Sequence, residues 1–166
     1  PADVLPPGEV GEIIVKSSDA AVWVWGDTEK TRESFEDGWW YSGDLGYKDE
    51  EGYLFIEGRD DDMILSKGIK VFPAPVEERL NEHPDVVESA VFGVKDDEYG
   101  ERVTAAVQTT DEDLTSEDLD EWCLESEKLS RFERPREYHF YAETLPRTAS
   151  DKLDRAAIKE RSIDAR

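Results

Sequence analysis

Apolar residues in this chain come in short bursts separated by polar, glycine or proline breaks, and the spacing within each burst suggests the element it forms. Pro6-Pro7-Gly8 reads as a turn ahead of a strand at Glu12-Ile13-Ile14-Val15. Val22, Val24 and Trp25 make a second β-favouring stretch, and Asp37-Gly38 interrupts the chain before Trp39-Trp40-Tyr41. Leu45-Gly46-Tyr47, a polar turn over 48–52 and Tyr53-Leu54-Phe55-Ile56 read as a hairpin. Met63-Ile64-Leu65 follows, then the Lys67-Gly68 break and a short strand over 69–72. Pro75 is suited to open a helix on which Val76 and Leu80, four residues apart, share a face until His83-Pro84 stops it. Residues 86–94 and 103–107 read as buried strands around an exposed loop over 95–100. Leu119, Trp122, Cys123 and Leu129 keep helical spacing, with Thr115 or Ser116 as the cap. Tyr138 and Phe140 alternate as a strand, 144–151 is a loop and 153–161 a terminal helix. This order predicts an α+β fold, with a short β-rich N-terminal segment followed by a small mixed sheet flanked by helices.

Charge narrows the classes of partner. The 166 residues carry 42 Asp and Glu against 20 Lys and Arg, a formal net charge of −22. Phosphate backbones and anionic headgroups are bound by Lys/Arg patches, so neither nucleic acid nor an anionic membrane is an expected partner. The acidic excess is dispersed, through Asp60 to Asp62, Asp96, Asp97, Asp111 to Asp113, Asp118 and Glu121. A surface of that kind suits concentrated salt, where the Debye length shrinks to about 3 Å at 1 M; an acidic protein with no such adaptation is the alternative. Five Trp, six Tyr and six Phe favour a folded chain over a disordered one. The solitary Cys123 cannot form an internal disulfide, which fits a reducing, cytoplasmic setting, and its helical spacing suggests a core position. No apolar run approaches the roughly 18 residues of a membrane span. His83 and His139 are widely separated and lack cysteine partners, so no zinc site or other metal centre is expected.

The chain opens Pro1-Ala2-Asp3 without Met, which reads as an excised piece. Five motifs then follow in order: Gly11-Glu12-Ile13-Ile14-Val15, Gly38-Trp39-Trp40-Tyr41-Ser42-Gly43-Asp44-Leu45-Gly46, Gly58-Arg59-Asp60-Asp61-Asp62-Met63-Ile64, Lys67-Gly68, and Pro146-Arg147-Thr148-Ala149-Ser150-Asp151-Lys152-Leu153-Asp154-Arg155. Together they resemble successive signatures of the AMP-forming acyl-CoA synthetases, whose adenylate-forming superfamily also includes peptide-synthetase adenylation domains and luciferases. The resemblance covers nearly the whole chain. It lacks the upstream phosphate-binding loop and acyl pocket, so it implies residues 1–59 as the terminal β-rich strip of the large N-terminal adenylation domain and 60–166 as the mobile C-terminal domain.

The resemblance implies a ligase that joins a small-molecule carboxylic acid to AMP at the expense of ATP and then transfers the acyl group to CoA, in fatty acid metabolism. Magnesium would arrive with ATP, and the missing N-terminal domain would be an obligate partner. Asp44 matches the ribose-binding Asp, a role suited to an acceptor-only carboxylate. Arg59 matches an Arg that contacts the nucleotide; an ion pair with nearby aspartates is the simpler alternative. Asp61 aligns with the hinge, and Lys67 and Gly68 with the face that meets the pantetheine arm of CoA. Lys152 matches the catalytic cation of the adenylation step, where positive charge offsets charge developing in the transition state. Two departures stand out: Pro75 replaces a usual Glu, and Asp151 replaces the usual Gly before the catalytic Lys. A peptide-synthetase-like piece and a non-catalytic interaction domain remain alternatives.

Overall fold

The computed structural model describes residues 4–19, 21 and 23–164, and the chain divides into two compact units, Pro1–Asp61 and Asp62–Arg166. The opening Pro1-Ala2-Asp3 and Val22 lie outside the described residues.

The first unit is a four-stranded antiparallel sheet built on one long strand. Strand β1 (Gly11–Val15), helix α1 (Thr28–Ser34), β2 (Phe35–Glu36), β3 (Trp39–Lys48) and β4 (Leu54–Arg59) follow in order, and β1, β2 and β4 all pair with β3. Aromatic and β-branched residues favour this pleated surface, and Tyr47 stacks on its cross-strand partner Phe55 with ring centroids 5.1 Å apart. Gly46 permits the close approach, since a β-carbon there would meet the Phe55 carbonyl oxygen at 2.3 Å. The turn of the hairpin is held by Asp49, whose carboxylate accepts from the amides of Glu51 and Tyr53 at 3.0 and 2.8 Å. The expected β stretch at Val24 and Trp25 is not a strand. The Val24 amide donates to the Thr31 hydroxyl at 2.9 Å, which removes it from any ladder, and Asp27 caps a helix that the apolar pattern does not announce.

The second unit contains β5 (Ile64–Ser66), β6 (Ile69–Val71), α2 (Pro73–Asn81), β7 (Val86–Asp96), β8 (Gly100–Thr109), α3 (Ser116–Leu124), β9 (Glu137–Tyr141) and α4 (Arg155–Asp164). The sheet runs β6-β5-β8-β7, and β9 joins β8 in parallel while the other pairings are antiparallel, so the expected mixed sheet forms. Alternate residues of the central strands feed two cores. On one side Val91, Val103, Ala105 and Val107 meet Val76 and Leu80 of α2 and Leu119 and Cys123 of α3. On the other, Ala90, Phe92, Val94 and Ala106 meet Tyr141, Leu145 and Ile158 of α4. Burial on both faces explains why these strands read as continuous apolar runs, and each large side chain so buried contributes about 1.5–3 kcal/mol.

Boundaries shift for local reasons. Helix α2 starts at Pro73 rather than Pro75, with Phe72 in extended conformation before it. Strand β7 continues through Lys95 and Asp96, leaving 97–99 as the turn, because the Asp96 carboxylate accepts from the amides of Glu98 and Tyr99, each at 2.9 Å. Helix α3 ends at Leu124, so Leu129 is buried from a following turn instead of from the helix; Thr115 is its cap, in a reciprocal capping box with Asp118. Helix α4 begins at Arg155 rather than Leu153, which bridges back to Arg147, and Asp154 receives the Ala157 amide at 3.1 Å.

Candidate functional site

The first unit brings two of the expected residues together. Asp44 on β3 and Arg59 at the end of β4 are direct cross-strand partners, with Arg59 Nη1 3.4 Å from Asp44 Oδ1. Arg59 also reaches the Ser42 carbonyl at 3.4 Å and lies 3.8 Å from Asp61 Oδ2, so the ion-pair alternative describes its present contacts. Gly43 makes room for it. This residue holds φ +73, and a β-carbon there would stand 3.1 Å from Arg59 Nη2. The Ser42 hydroxyl donates to the Ile13 carbonyl at 2.7 Å and accepts from the Asp44 amide at 3.0 Å, which aims the Asp44 backbone. Asp44 and Arg59 are both partly open to solvent, at 37% and 51% of the side chain, so a ribose or phosphate can reach them. Asp61 closes this unit with its side chain 88% exposed.

In the second unit, Lys67 and Gly68 form the two-residue turn between β5 and β6, with φ +49 and +80. The Lys67 ammonium donates to Glu98 Oε1 at 2.7 Å and lies 4.1 Å from the centroid of the Tyr99 ring. The Glu98 hydrogen bond raises its pKa above the ordinary lysine value. The space over Gly68 is open: among the described residues, its chain neighbours aside, no atom stands within 4 Å of where a β-carbon would lie.

Lys152 stands on an exposed turn just ahead of α4. The turn is closed by backbone: Thr148 donates to the Lys152 carbonyl at 2.8 Å and Asp151 to the Thr148 carbonyl at 3.0 Å. Asp151 adopts φ +63, the left-handed conformation in which Gly is the usual residue. The two cations flanking this turn are committed. Arg147 holds Glu88 on β7, and Arg155 binds both oxygens of Glu77 on α2, donates to the Val91 carbonyl at 3.1 Å and lies 3.6 Å from Asp62. Hydrogen bonding to Glu77 raises the Arg155 pKa further above its already high value. By contrast, no carboxylate among the described residues lies within ion-pair distance of the Lys152 ammonium.

Sequence reasoning missed the supporting residues Glu77, Glu88, Glu98 and Tyr99. Glu77 meets Arg155 across 78 residues and Glu88 meets Arg147 across 59, separations that leave no periodic signal. Among the described residues no group of three or more His, Cys, Asp or Glu is gathered to hold a metal, and no helix is long and apolar enough to cross a membrane. Cys123 is buried, which pushes its thiol up to about 11.

Residues 75–152 match the AMP-binding enzyme C-terminal domain. A 2-succinylbenzoate--CoA ligase of Bacillus cereus (strain ZK / E33L) is 40% identical over 157 residues, which cover 95% of this chain and 32% of that protein. A 4-chlorobenzoate--CoA ligase of Arthrobacter sp is 41% identical over 162 residues, 96% of this chain and 30% of that protein. The o-succinylbenzoate CoA synthetase of Bacillus subtilis, solved in complex with the acyl-adenylate intermediate OSB-AMP, superposes with a TM-score of 0.85 at 34% identity, over 93% of this chain and 31% of that one. The same enzyme has also been solved with ATP and magnesium ion. This chain therefore spans about a third of the length of the relatives it matches. The homologues of the chain are acyl- and aryl-CoA ligases of the adenylate-forming superfamily, and the match over residues 75–152 is to their AMP-binding enzyme C-terminal domain.

Proposed function

We propose that this chain is the C-terminal part of an AMP-forming acyl-CoA synthetase, with residues 1–59 completing an upstream adenylation domain and 60–166 forming the mobile domain. The carboxylate of the acid attacks the α-phosphorus of ATP, pyrophosphate leaves, and the CoA thiol then displaces AMP to give the thioester. The observation that carries the reading is the setting of Lys152, an exposed cation with no carboxylate partner among the described residues, on a turn whose neighbouring arginines are both committed. An unneutralised ammonium is what charge development on the attacked phosphate requires. Asp44, acceptor-only, would take the ribose hydroxyls, and Arg59 would turn from its loose 3.4 Å contact towards the nucleotide. Asp61 would absorb the dihedral change between the two half-reactions. Lys67 and the open backbone of Gly68 would meet the pantetheine arm of CoA. Magnesium would be carried in by ATP.

The named relatives act on benzoates; a fatty acid is the other substrate class we propose, and the acyl pocket lies outside this chain. We place the protein in the cytoplasm and read the −22 charge as an adaptation to concentrated salt. The test is exchange of labelled pyrophosphate into ATP with acetate, octanoate, palmitate and benzoate. The 166-residue chain alone is expected to stay at background, and the full-length polypeptide to exchange with at least one acid. Robust exchange by the chain alone would sink the proposal.

A further inference from the structure

Asp151 departs from the family pattern in a way that carries two liabilities. An aspartate at φ +63 is disfavoured relative to glycine. Its carboxylate also neighbours Lys152 in sequence, where it threatens to neutralise the ammonium. Arg147 answers both. Its Nη1 donates to the Asp151 carbonyl at 2.8 Å, and its Nε stands 3.9 Å from Asp151 Oδ1. Its Nη2 donates to both oxygens of Glu88, at 2.8 and 2.7 Å, so the guanidinium is anchored to β7, the longest strand of the unit. A guanidinium suits this double duty because its donors sit in a rigid plane.

We infer that Arg147 is a positioning residue for Lys152: held by Glu88, it fixes Asp151 in the left-handed turn and draws the Asp151 carboxylate to itself, leaving the Lys152 ammonium free to meet substrate. The inference rests on the proposed role of Lys152 in adenylation. It explains why an aspartate is tolerated where backbone freedom alone would favour glycine. It also makes the effect of Asp151 depend on Arg147.

The test is kinetic and uses the full-length polypeptide, with Lys152→Ala as the reference. Arg147→Ala should lower kcat for pyrophosphate exchange roughly tenfold to a hundredfold, as expected for a misplaced catalytic group. KM for ATP, and thioester formation from supplied acyl-AMP and CoA, should stay within about twofold, because on this inference Arg147 acts only through Asp151 and Lys152. Arg147→Ala combined with Asp151→Gly should recover most of the lost exchange, since glycine needs no clamp and brings no carboxylate. Glu88→Gln should fall between wild type and Arg147→Ala. If Arg147→Ala keeps full exchange where Lys152→Ala has lost it, or if adding Asp151→Gly recovers nothing, the inference is overturned. If Lys152→Ala itself keeps full exchange, the reading of Lys152 falls and the inference with it. In the 166-residue chain, Arg147→Ala should speed hydrogen exchange at the Thr148 and Asp151 amides while leaving β7 and β8 protected; unchanged exchange at those two amides also overturns the clamp.

Discussion

The two units use similar apolar residues to opposite ends. Among the described residues of the first unit, Leu45 is the one buried apolar side chain, whereas the second unit buries two full clusters around β7 and β8. The first unit instead exposes Trp25 at 85% and, on the edge strand β4, Leu54, Phe55 and Ile56 in succession, the last at 69%. Alternation along a strand ordinarily hides every second side chain, so three open neighbours mean that neither face of β4 is covered within its unit. Apolar content therefore marks two different things here: a core in the second unit, and in the first a surface that asks for a covering layer.

The largest test of this contrast is truncation. Leu80→Ala should destabilise the second unit by about 2–5 kcal/mol, the cost of a core cavity, whereas Ile56→Ala should change the first by less than about 0.5 kcal/mol. Urea unfolding followed by resolved NMR signals from each unit separates the two; equal losses would break the comparison. Next is the pair between Arg155 and Glu77, whose carboxylate side chain is only 12% exposed. Arg155→Ala should cost the second unit about 2–3 kcal/mol, short of a fully buried pair because the guanidinium still sees solvent. A double-mutant cycle with Glu77→Gln should show strong coupling, and additive losses would remove the pair as a strut.

Salt sharpens the comparison from the other side. Acidic residues outnumber basic ones by about three to one in the first unit and by less than two to one in the second. Both units should gain stability as KCl rises to molar levels, the first more steeply, because close carboxylates repel less when screened. Sulfate should help more than chloride at equal ionic strength, and a thermal midpoint indifferent to KCl would leave the charge without a salt role. The smallest expected effect is in acid. Amides of Tyr99 and Glu98 and the Arg102 guanidinium hold the Asp96 carboxyl below its ordinary value, and Thr115 does the same for Asp118. Groups lowered in the folded state stabilise it above pH about 4 and lose that contribution as pH falls through the folded value. Asp96→Asn should therefore flatten the acid limb of the second unit's stability curve, read by circular dichroism against pH; an unchanged limb would contradict the assignment.

Much of the architecture was legible in the sequence for a physical reason. Strands β7 and β8 are covered on both faces, so their pattern is a plain apolar run, and the Lys67-Gly68 break is a turn that residue chemistry announces. Helix α1 was illegible because it buries nothing and is fixed by hydrogen bonds that the Asp27 carboxylate accepts from the Lys30 amide and the Thr31 hydroxyl from the Val24 amide. The same divide holds for the site. Asp44 and Arg59 are picked out as candidates by short motifs, and their pairing follows from hairpin register. Glu77, Glu88 and Glu98 gave no sign, since a partner chosen across tens of residues leaves no local mark.

That long reach has a kinetic meaning. The β7–β8 hairpin closes a three-residue turn and so can form early and cheaply, while the grips of Glu77 on Arg155 and Glu88 on Arg147 wait for loops of 78 and 59 residues to close. The turn that presents Lys152 is therefore assembled among the last parts of the second unit and released among the first when it unfolds. Weakening it should quicken unfolding more than it slows folding, so the role proposed for Lys152 would rest on a late-forming piece of its domain.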